Sequence, residues 1–376
     1  MELTLTAKIH VYPTPEQEML LVETLDAYRQ GCHYVAGIVY TTHCLQQAVL
    51  HGDTYRPLRA LFGLRSQMAQ SVIKTVIARY KSDQSHGHPW TRVQFTSPVL
   101  DLVWNRDYSL KAGGFSLNTL AGRVQVPFAL QGMEQFFDGT WQFGTAHLVH
   151  RHGRWFLQVP MTKDVTETDF AHIRQVVGLD FGINFLVTAY DSQGRTTFFP
   201  GRAVKARRAH FKMLRQALQR RQTPSARRRL KRLGQRENRW MADVNHQVSK
   251  ALVTRYGAQT LFVMEDLTGI RGATERVRRR DRYTSVSWAF DQLRHMLEYK
   301  AALHQARTVA VDPRYTSQTC PKCGHVAREN RDKRRHRFAC QQCHYRSNDD
   351  RIGAMNLHRR GIEYRVTGAT AASPPS

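Results

Sequence analysis

Hydrophobic and polar residues alternate from Leu3 to Val11, which is the pattern of a strand with one buried face. Alternation returns between Trp90 and Met161, whereas the residues in between have apolar positions at helical spacing. Strand segments therefore flank a helical stretch. This pattern predicts a small β-barrel, formed by residues 1–14 and 88–165, that is interrupted by a helical insert over residues 15–87.

The insert opens with a strong helix signal. Thr14 can cap the helix, Pro15 suits its first position, and Gln17 completes a capping-box pattern. Apolar spacing then predicts a first helical run over residues 15–49, a break over residues 51–57 and a second run over residues 58–80. Three polar residues lie beside the apolar stripe of the second run, and spacing alone favours a solvated face for them. They are Gln67, Gln70 and Lys74.

The second half of the chain, after a linker over residues 164–172, places carboxylates in apolar surroundings. Asp180 lies inside an apolar strand segment, Glu265 ends a later one, and Asp350 is at the start of the last helical segment. An uncompensated carboxylate in an apolar strand is costly, so these positions indicate hydrogen bonds, protons or cations. If the three converge, divalent cations would relieve their repulsion, and oxygen ligands favour Mg²⁺ or Mn²⁺. Separate helix caps and surface charges explain them equally well from spacing alone.

Four of the six cysteines form two C-x-x-C pairs, Cys320 with Cys323 and Cys340 with Cys343, and sixteen residues separate the pairs. This is the spacing of a two-knuckle zinc ribbon, in which two loops offer four thiolates to one tetrahedral Zn²⁺. Free or disulfide-bonded cysteines are the less favoured alternative, because the chain opens without the cationic head and apolar centre of a secretory signal. We predict one structural zinc ion.

The large positive net charge of the chain argues against a typical small-molecule enzyme and indicates a protein that binds polyanions. The chain has 56 Lys and Arg against 30 Asp and Glu, a formal charge of +26. Residues 202–239 hold fifteen of these cations and a single acidic residue, Glu237, with Pro224 dividing two helical arms. Such a run predicts phosphate contacts with nucleic acid. The contact residues predicted within it are Arg227, Arg228, Arg229, Lys231 and Arg232.

A membrane surface is the competing anionic partner for so basic a chain. The sequence contains no apolar run of the roughly 20 residues that a membrane-spanning helix needs. We therefore expect no membrane association and a cytoplasmic location, with the protein on the nucleoid when it is bound to DNA.

The order of motifs in the second half resembles the transposon-encoded TnpB family. The chain carries GLDFG, a basic helical region with HQVS, VMEDL, LEYKAA, TSQTCPKCG and, after the second C-x-x-C, DDRIGAMNL. The matching motifs cover residues 178–357, and the opening strand followed by YPTPEQEMLL resembles the start of the family as well. Members of this family are RNA-guided DNA endonucleases related to the compact type V CRISPR effectors.

The resemblance implies a multidomain fold of the α+β or α/β class. A wedge-like N-terminal barrel with a helical recognition insert would be followed by a RuvC nuclease domain of RNase H-like fold, with the zinc ribbon inserted ahead of its last helix. The implied bounds are residues 172–319 and 346–362 for the nuclease domain and 320–345 for the ribbon. Residues 363–376 are small, polar and proline-containing, which predicts a disordered tail.

The resemblance also assigns roles to the carboxylates. Asp180 matches the aspartate of the first strand, Glu265 the glutamate of the EDL motif and Asp350 the last aspartate, which together would hold two Mg²⁺ or Mn²⁺ ions. Asp350 is implied because aligning the final asparagine of the family motif with Asn356 puts Asp349 where the family has arginine. Three further positions stand where the family usually has Asp, Asn and Ala. They are Asn348, Ile352 and Gly353.

The function that the resemblance implies is RNA-guided cleavage of double-stranded DNA. A guide RNA would pair with the target, while the N-terminal barrel and its insert hold the RNA and read a short motif beside the target. Within this picture Gln67, Gln70 and Lys74 become candidates for contacts with base edges or phosphates.

Other functions remain open on the sequence. An RNA-guided repressor without nuclease activity is disfavoured by the complete set of three carboxylates, and a strand-joining transposase is disfavoured by the order of the motifs. A basic zinc-ribbon scaffold would require carboxylates that bind no metal. A compact CRISPR effector would share the chemistry of the favoured interpretation.

Overall fold

The computed structural model describes residues 1–96, 99–129, 132–151, 153–266 and 290–366. The chain divides into two compact units between Asp164 and Val165, and Met1 groups with the second unit. The predicted tail lies outside the described residues from residue 367 onward.

The N-terminal unit contains two antiparallel sheets. Its strands are β1 (Glu2–Val11), β2 (Val99–Leu102), β3 (Tyr108–Lys111), β4 (Gly114–Thr119), β5 (Gly122–Val126), β6 (Gln142–Phe143), β7 (Ala146–Arg151) and β8 (Arg154–Asp164). The first sheet has the order β1-β8-β7-β2, with β6 also on β8, and the second has the order β3-β4-β5. A main-chain bridge between Val11 and Phe128 connects β1 to the residues that follow β5.

The alternation predicted for the first strand is confirmed in β1. Ala7, Ile9 and Val11 are buried, whereas Lys8 between them is exposed. Pairing with β8 extends over the whole of β1, so its buried face continues into the apolar residues of β8.

Three helices lie between β1 and β2: α1 (Pro15–Thr42), α2 (Gln47–Phe62) and α3 (Ser66–Ser85). The predicted capping box is confirmed at α1. The Thr14 hydroxyl accepts from the Gln17 N–H, and the Gln17 side chain accepts from the Thr14 N–H. Both donors would otherwise be unsatisfied at a helix start.

The predicted break over residues 51–57 is wrong. These residues lie inside α2, and the interruption falls at residues 43–46, where His43 adopts a left-handed conformation with φ +57°. A stripe of buried residues on both sides of Pro57 outweighs the hydrogen bond that a proline removes from a helix. The stripe consists of Leu50, Thr54 and Leu58.

The second predicted run, over residues 58–80, is also two helices rather than one. Gly63 has φ +62° and ends α2, since glycine adopts this conformation without steric cost. The apolar stripe of α3 is buried as predicted and consists of Met68, Val72 and Val76.

The second unit is built around a mixed five-stranded sheet. Its strands are β9 (Gln175–Asp180), β10 (Phe185–Asp191), β11 (Thr196–Pro200), β12 (Thr260–Glu265) and β13 (Arg307–Val311). The order is β11-β10-β9-β12-β13, in which β9, β12 and β13 are parallel and β10 is antiparallel to both of its neighbours. The strands predicted around Asp180 and Glu265 are confirmed.

Four described helices belong to this unit: α4 (Arg202–Arg221), α5 (Pro224–Tyr256), α6 (Phe290–Leu303) and α7 (Asp349–Val366). Pro224 begins α5 as predicted, and the Thr223 hydroxyl accepts from the Ala226 N–H to cap it. Because α7 continues to Val366, the boundary predicted after residue 362 is four residues short. None of the described helices is long and apolar enough to cross a membrane.

A small three-stranded sheet lies between β13 and α7. Its strands are β14 (Arg331–Asp332), β15 (Arg337–Ala339) and β16 (Arg346–Asn348), and all neighbours are antiparallel. β16 is followed directly by α7. Phe338 of β15 and Ile352 of α7 are both fully buried in one hydrophobic cluster, so this small sheet and the helix share a core.

α7 crosses the large sheet in close main-chain contact with β9. A Cβ atom on Gly178 would overlap the main chain of Ala354 and His358, and one on Gly361 would overlap the Val263 side chain. Both positions therefore need glycine for the approach of the backbone. The contact brings the start of α7 to the end of β9.

Replacing Gly178 with alanine is expected to destabilise the fold by about 1–3 kcal/mol, the usual cost of overpacking, because the main chain of α7 would have to move. Thermal unfolding followed by circular dichroism measures this change. Gly234→Ala on α5 is the matched control, because a Cβ atom there meets nothing within 4 Å. Equal melting temperatures for Gly178→Ala and the unchanged chain would contradict the close contact.

Candidate metal centres

Two of the predicted carboxylates lie at the same edge of the large sheet. β9 and β12 are parallel neighbours in which Leu179 is opposite Met264. Asp180 and Glu265 each follow one residue later, so they end adjacent strands side by side. The carboxyl ends of parallel strands are a common position for ligand-binding side chains.

The first turn of α7 brings Asp350 to this edge. A Cβ atom on Gly182, just after β9, would lie 4.0 Å from Asp350 Oδ1. A Cβ atom on Gly353 would lie 3.0–3.2 Å from the carboxyl group of Asp180. The structure thus brings together the three acidic residues predicted from the sequence.

These carboxylates face one another in a poorly hydrated environment. Burial raises the pKa of Asp180 well above its usual range, and the negative charges of Glu265, Asp350 and Asp349 raise it further. Burial raises the pKa of Glu265, and burial followed by the charge of Asp349 raises the pKa of Asp350. Repulsion of this kind favours bound cations or protons.

Thr316 orients Glu265, although the sequence did not identify it. Its hydroxyl donates to Glu265 Oε1 at 2.5 Å. From α7, Asn356 Nδ2 donates to the carbonyls of Thr316 at 2.7 Å and Thr319 at 2.8 Å. The segment after β13 therefore links Glu265 to the helix that carries Asp350. The only sequence signal for these contacts is the placement of Asn356 in the last motif.

Asp349, which the sequence did not place in the site, is fully buried beside Asp350. Arg331 of β14 donates through Nε to Asp349 Oδ2 at 2.9 Å, and His336 Nδ1 is 3.5 Å from Asp349 Oδ1. The main-chain N–H of Asp350 donates to the same Oδ1 at 3.1 Å. Both oxygens of Asp349 therefore have partners within the protein.

The donor set fits divalent cations. Among the described residues, the carboxylates of Asp180 and Asp350 have no hydrogen-bond or ion-pair partner, and oxygen donors suit Mg²⁺ or Mn²⁺. His336, Asp349 and Asp350 offer ligand atoms within 4.8 Å of one another, whereas Asp180, Glu265 and Asp350 do not all meet within that distance.

The departures from the family pattern have local explanations. Asn348 caps α7, because its Oδ1 accepts from the Arg351 N–H at 3.1 Å. Asparagine and aspartate are equally effective caps, so the change from the family's aspartate keeps this contact. Ile352 is buried in the core shared with the small sheet. Gly353 leaves room for the Asp180 carboxylate.

The four cysteines of the predicted ribbon converge on one point. The sulfur atoms of Cys320 and Cys343 are 3.5 Å apart, those of Cys323 and Cys340 are 3.6 Å apart, and all four lie within 4.8 Å of one another. Four sulfurs at 2.3 Å from a tetrahedral zinc ion would be about 3.8 Å apart. The arrangement therefore fits one Zn²⁺.

Both cysteine pairs are held by the same main-chain turn. The N–H groups of Gly324 and His344 donate to the carbonyls of Cys320 and Cys340, each four residues earlier. Gly324 has φ +78° and His344 has φ +60°, so both turns end in a left-handed residue. Burial raises the pKa of the Cys320 thiol. In the second turn, hydrogen bonds from main-chain N–H groups and from the Cys323 and Cys343 thiols outweigh burial and lower the pKa of the Cys340 thiol to about 6.

The polar residues predicted to contact nucleic acid lie on α3. Lys74 is exposed, whereas Gln67 and Gln70 are half-buried. Gln67 Oε1 accepts from an Arg106 guanidinium N–H at 3.0 Å, so part of this amide is already bound within the protein. The role of the three residues stays a prediction.

The basic residues predicted as contacts lie on the first turns of α5, where all five are exposed: Arg227, Arg228, Arg229, Lys231 and Arg232. The cleft between α4 and α5 is apolar at Leu214, Leu218 and Leu233 and is edged by the guanidinium groups of Arg229 and Arg232. An exposed row of cations suits phosphate groups. A contact with nucleic acid here also stays a prediction.

Two protein-family models match this chain. Residues 158–269 match the family described as a probable transposase, OrfB_IS605, and residues 290–357 match the Cas12f1-like TNB domain. Asp180 and Glu265 fall within the first match. Asp350 and the four cysteines fall within the second.

Curated relatives point the same way. The CRISPR-associated endodeoxyribonuclease Cas12f1 of Sulfoacidibacillus thermotolerans is 27% identical over 60% of this chain and 55% of its own length. The putative RNA-guided DNA endonuclease InsQ of Escherichia coli (strain K12) is 28% identical over 59% of this chain and 57% of its own. The TnpB-like protein MJ0751 of Methanocaldococcus jannaschii is 26% identical over 54% of this chain and 73% of its own length. The resemblance to the TnpB family is confirmed.

A solved structure has a fold similar to that of this chain. The protein in the Cas12f1–sgRNA–target DNA complex superposes with a TM-score of 0.64, covering 95% of this chain and 99% of that one at 13% identity. This likeness confirms the predicted multidomain architecture in its coarse form. The sequence matches are shorter, since the chain spans little more than half the length of the Cas12f1 and InsQ relatives.

Replacing Cys320 with serine is expected to remove zinc and lower the melting temperature, because structural zinc contributes directly to folding. Elemental analysis should find about one zinc per chain before the change and markedly less after it. Cys44→Ser is the matched control, because this half-buried cysteine belongs to no cysteine cluster among the described residues. Zinc content and melting temperature that are unchanged in Cys320→Ser would overturn the zinc assignment.

Proposed function

We propose that this chain is a metal-dependent, RNA-guided DNA endonuclease. The convergence of Asp180, Glu265 and Asp350 at one edge of the sheet carries the proposal, since three carboxylates without cations would only destabilise the fold. The names of the relatives supply the reaction class, because Cas12f1 and InsQ are both described as DNA endonucleases.

In this proposal the second unit is a RuvC nuclease domain of RNase H-like fold, spanning residues 172–319 and 346–366, with a zinc ribbon inserted over residues 320–345. The mixed sheet supports this, because three antiparallel strands lead into two parallel ones and both predicted strand carboxylates end parallel strands. The N-terminal unit is the wedge-like barrel, with α1 to α3 as its recognition insert. The bridge between Val11 and Phe128, which connects β1 to the residues that follow β5, supports a barrel.

Asp180, Glu265 and Asp350 would hold two Mg²⁺ or Mn²⁺ ions. Bound ions of this kind activate water for in-line attack on a phosphodiester and stabilise the departing oxygen. The protein contributes the positions of the ligands. Thr316 holds Glu265 in one orientation through its 2.5 Å hydrogen bond, and the main-chain contact at Gly178 fixes α7 and Asp350 relative to β9.

The partners that we propose are a guide RNA and a double-stranded DNA target. The formal charge of +26 supplies the electrostatic attraction that both nucleic acids require. The exposed cations at the start of α5 would contact phosphates. Gln67, Gln70 and Lys74 would contact bases or phosphates from α3, and pairing with the guide would supply the sequence specificity.

Asp180→Asn is expected to reduce DNA cleavage by more than the roughly 10–100-fold that the loss of an outer-shell partner costs, because a metal ligand is removed. Without Mg²⁺ or Mn²⁺ the variant should melt at a higher temperature than the unchanged chain, since one of the repelling charges is gone. Cleavage of a guide-matched duplex, and thermal melting of the zinc-loaded protein without added Mg²⁺ or Mn²⁺, measure the two effects.

Asp243→Asn is the control for Asp180→Asn, because Asp243 is exposed on α5, away from the carboxylate edge. It should change neither cleavage nor melting. An Asp180→Asn protein that cleaves at the rate of the unchanged chain would refute the catalytic assignment, and guide and target binding without cleavage in the unchanged chain would indicate an RNA-guided repressor.

The cleavage rate at a fixed, subsaturating Mg²⁺ concentration should fall as pH is lowered toward the raised pKa values of the carboxylates. Burial raises the pKa of all three, so protons compete with cations at pH values where ordinary carboxyl groups are already ionised. Raising the Mg²⁺ concentration should shift the acidic limb of the pH profile to lower pH. An acidic limb that does not move with Mg²⁺ concentration would show that other groups limit the rate.

A further inference from the structure

Asp349 has a role that the proposed ligand set does not explain. Its side chain is fully buried, and a buried carboxylate is costly unless it is paired and hydrogen-bonded. It lies next to Asp350 in the chain, so its negative charge adds to a site that already holds three carboxylates. A residue that increases repulsion in this way needs a compensating cation.

Arg331 supplies that cation. Its Nε donates to Asp349 Oδ2 at 2.9 Å. The exposed fraction of the Arg331 side chain is 22%, so the pair is shielded from much of the screening that weakens surface ion pairs. His336 lies 3.5 Å from the other carboxylate oxygen and is more exposed, at 44%, so it is the weaker partner.

The positive charge of Arg331 also acts on the proposed ligands. Against the raising effect of burial, its guanidinium lowers the pKa of Asp180, of Glu265 and of Asp350. Because Arg331 is hydrogen-bonded to Asp349, the chain neighbour of Asp350, it lies close enough to the carboxylate edge to affect any cation that binds there. Because like charges repel, its effect on a divalent cation is opposite to that of Asp349.

We propose that Arg331 and Asp349 form a charge-compensating pair that sets the affinity of the neighbouring carboxylates for divalent cations. The inference rests on the proposed function only in taking Asp180, Glu265 and Asp350 as a cation site. Arg331 and Asp349 are positioning residues rather than ligands. Both oxygens of Asp349 are already hydrogen-bonded, to Arg331 and to the main-chain N–H of Asp350.

Direct binding of Mn²⁺ to the full, zinc-loaded chain tests the pair without relying on cleavage. Asp349→Asn leaves the Arg331 charge uncompensated, so Mn²⁺ should bind about 10-fold more weakly. Arg331→Gln leaves an additional negative charge, so Mn²⁺ should bind more tightly than to the unchanged chain. The double variant Arg331→Gln with Asp349→Asn should return to within roughly 3-fold of the unchanged chain. Isothermal titration calorimetry at about pH 8, where ordinary carboxyl groups are ionised, measures the dissociation constants.

Arg334→Gln is the matched control, because this arginine is exposed on the turn between β14 and β15. It should leave the Mn²⁺ dissociation constant unchanged. Zinc content, measured on every variant, identifies any protein whose ribbon has failed to fold. If Arg331→Gln loses zinc, Asp349→Asn and the double variant still test the pair, because the double variant should bind Mn²⁺ more tightly than Asp349→Asn alone.

The opposite signs of the two single changes are the decisive result, since a merely structural role would make both variants bind Mn²⁺ more weakly. Weakening in both, or no shift in either, would overturn the inference. Failure of the proposed function is distinguishable from failure of this inference. A chain that shows the opposite shifts in Mn²⁺ binding but cuts no DNA would retain the charge pair and lose the nuclease assignment.

Discussion

Repulsion among carboxylates at one edge of the large sheet is the constraint on which the second unit depends. Asp180, Glu265, Asp349 and Asp350 are brought there by two parallel strands and by the first turn of α7. Such a group costs folding free energy unless cations or protons neutralise it. Arg331 neutralises one of the four charges through its hydrogen-bonded pair with Asp349. Three carboxylates remain, and their charge suits divalent cations.

The positions of Asp180 and Asp350 come from main-chain packing rather than from hydrogen bonds to their carboxylates. Among the described residues, Asp180 and Asp350 have no hydrogen-bond partner for their carboxylates, so their separation depends on how α7 is held against β9, including the main-chain contact at Gly178. Moving the helix outward would reduce the repulsion and also separate the ligands. Stability of the metal-free protein and the capacity to bind cations therefore oppose each other at this edge, as they commonly do at functional sites.

Local pattern was sufficient for the strands that carry Asp180 and Glu265 and for the cysteine pairs, because alternation and C-x-x-C spacing are short-range signals. It failed at α2, where the sequence predicts a break over residues 51–57 although buried packing on both sides of Pro57 keeps the helix intact. It also could not find the pair of Arg331 and Asp349, which are eighteen residues apart and meet only after the small sheet folds. The ribbon contains many arginines, and no local signal distinguishes the one that turns inward.

The position of the ribbon in the chain follows from the same charges. β16 leads into α7 without a loop, so its pairing with β15 fixes the start of the helix that carries Asp349 and Asp350. β14 pairs with the other side of β15 and carries Arg331. The small sheet therefore carries the compensating cation and positions the first turn of α7, which carries Asp349 and Asp350. A zinc clip that served only stability could lie anywhere on the surface. This one lies where it keeps the buried Asp349 and the partly buried Arg331 2.9 Å apart, so its folding decides whether the charge of Asp349 at the carboxylate edge is compensated.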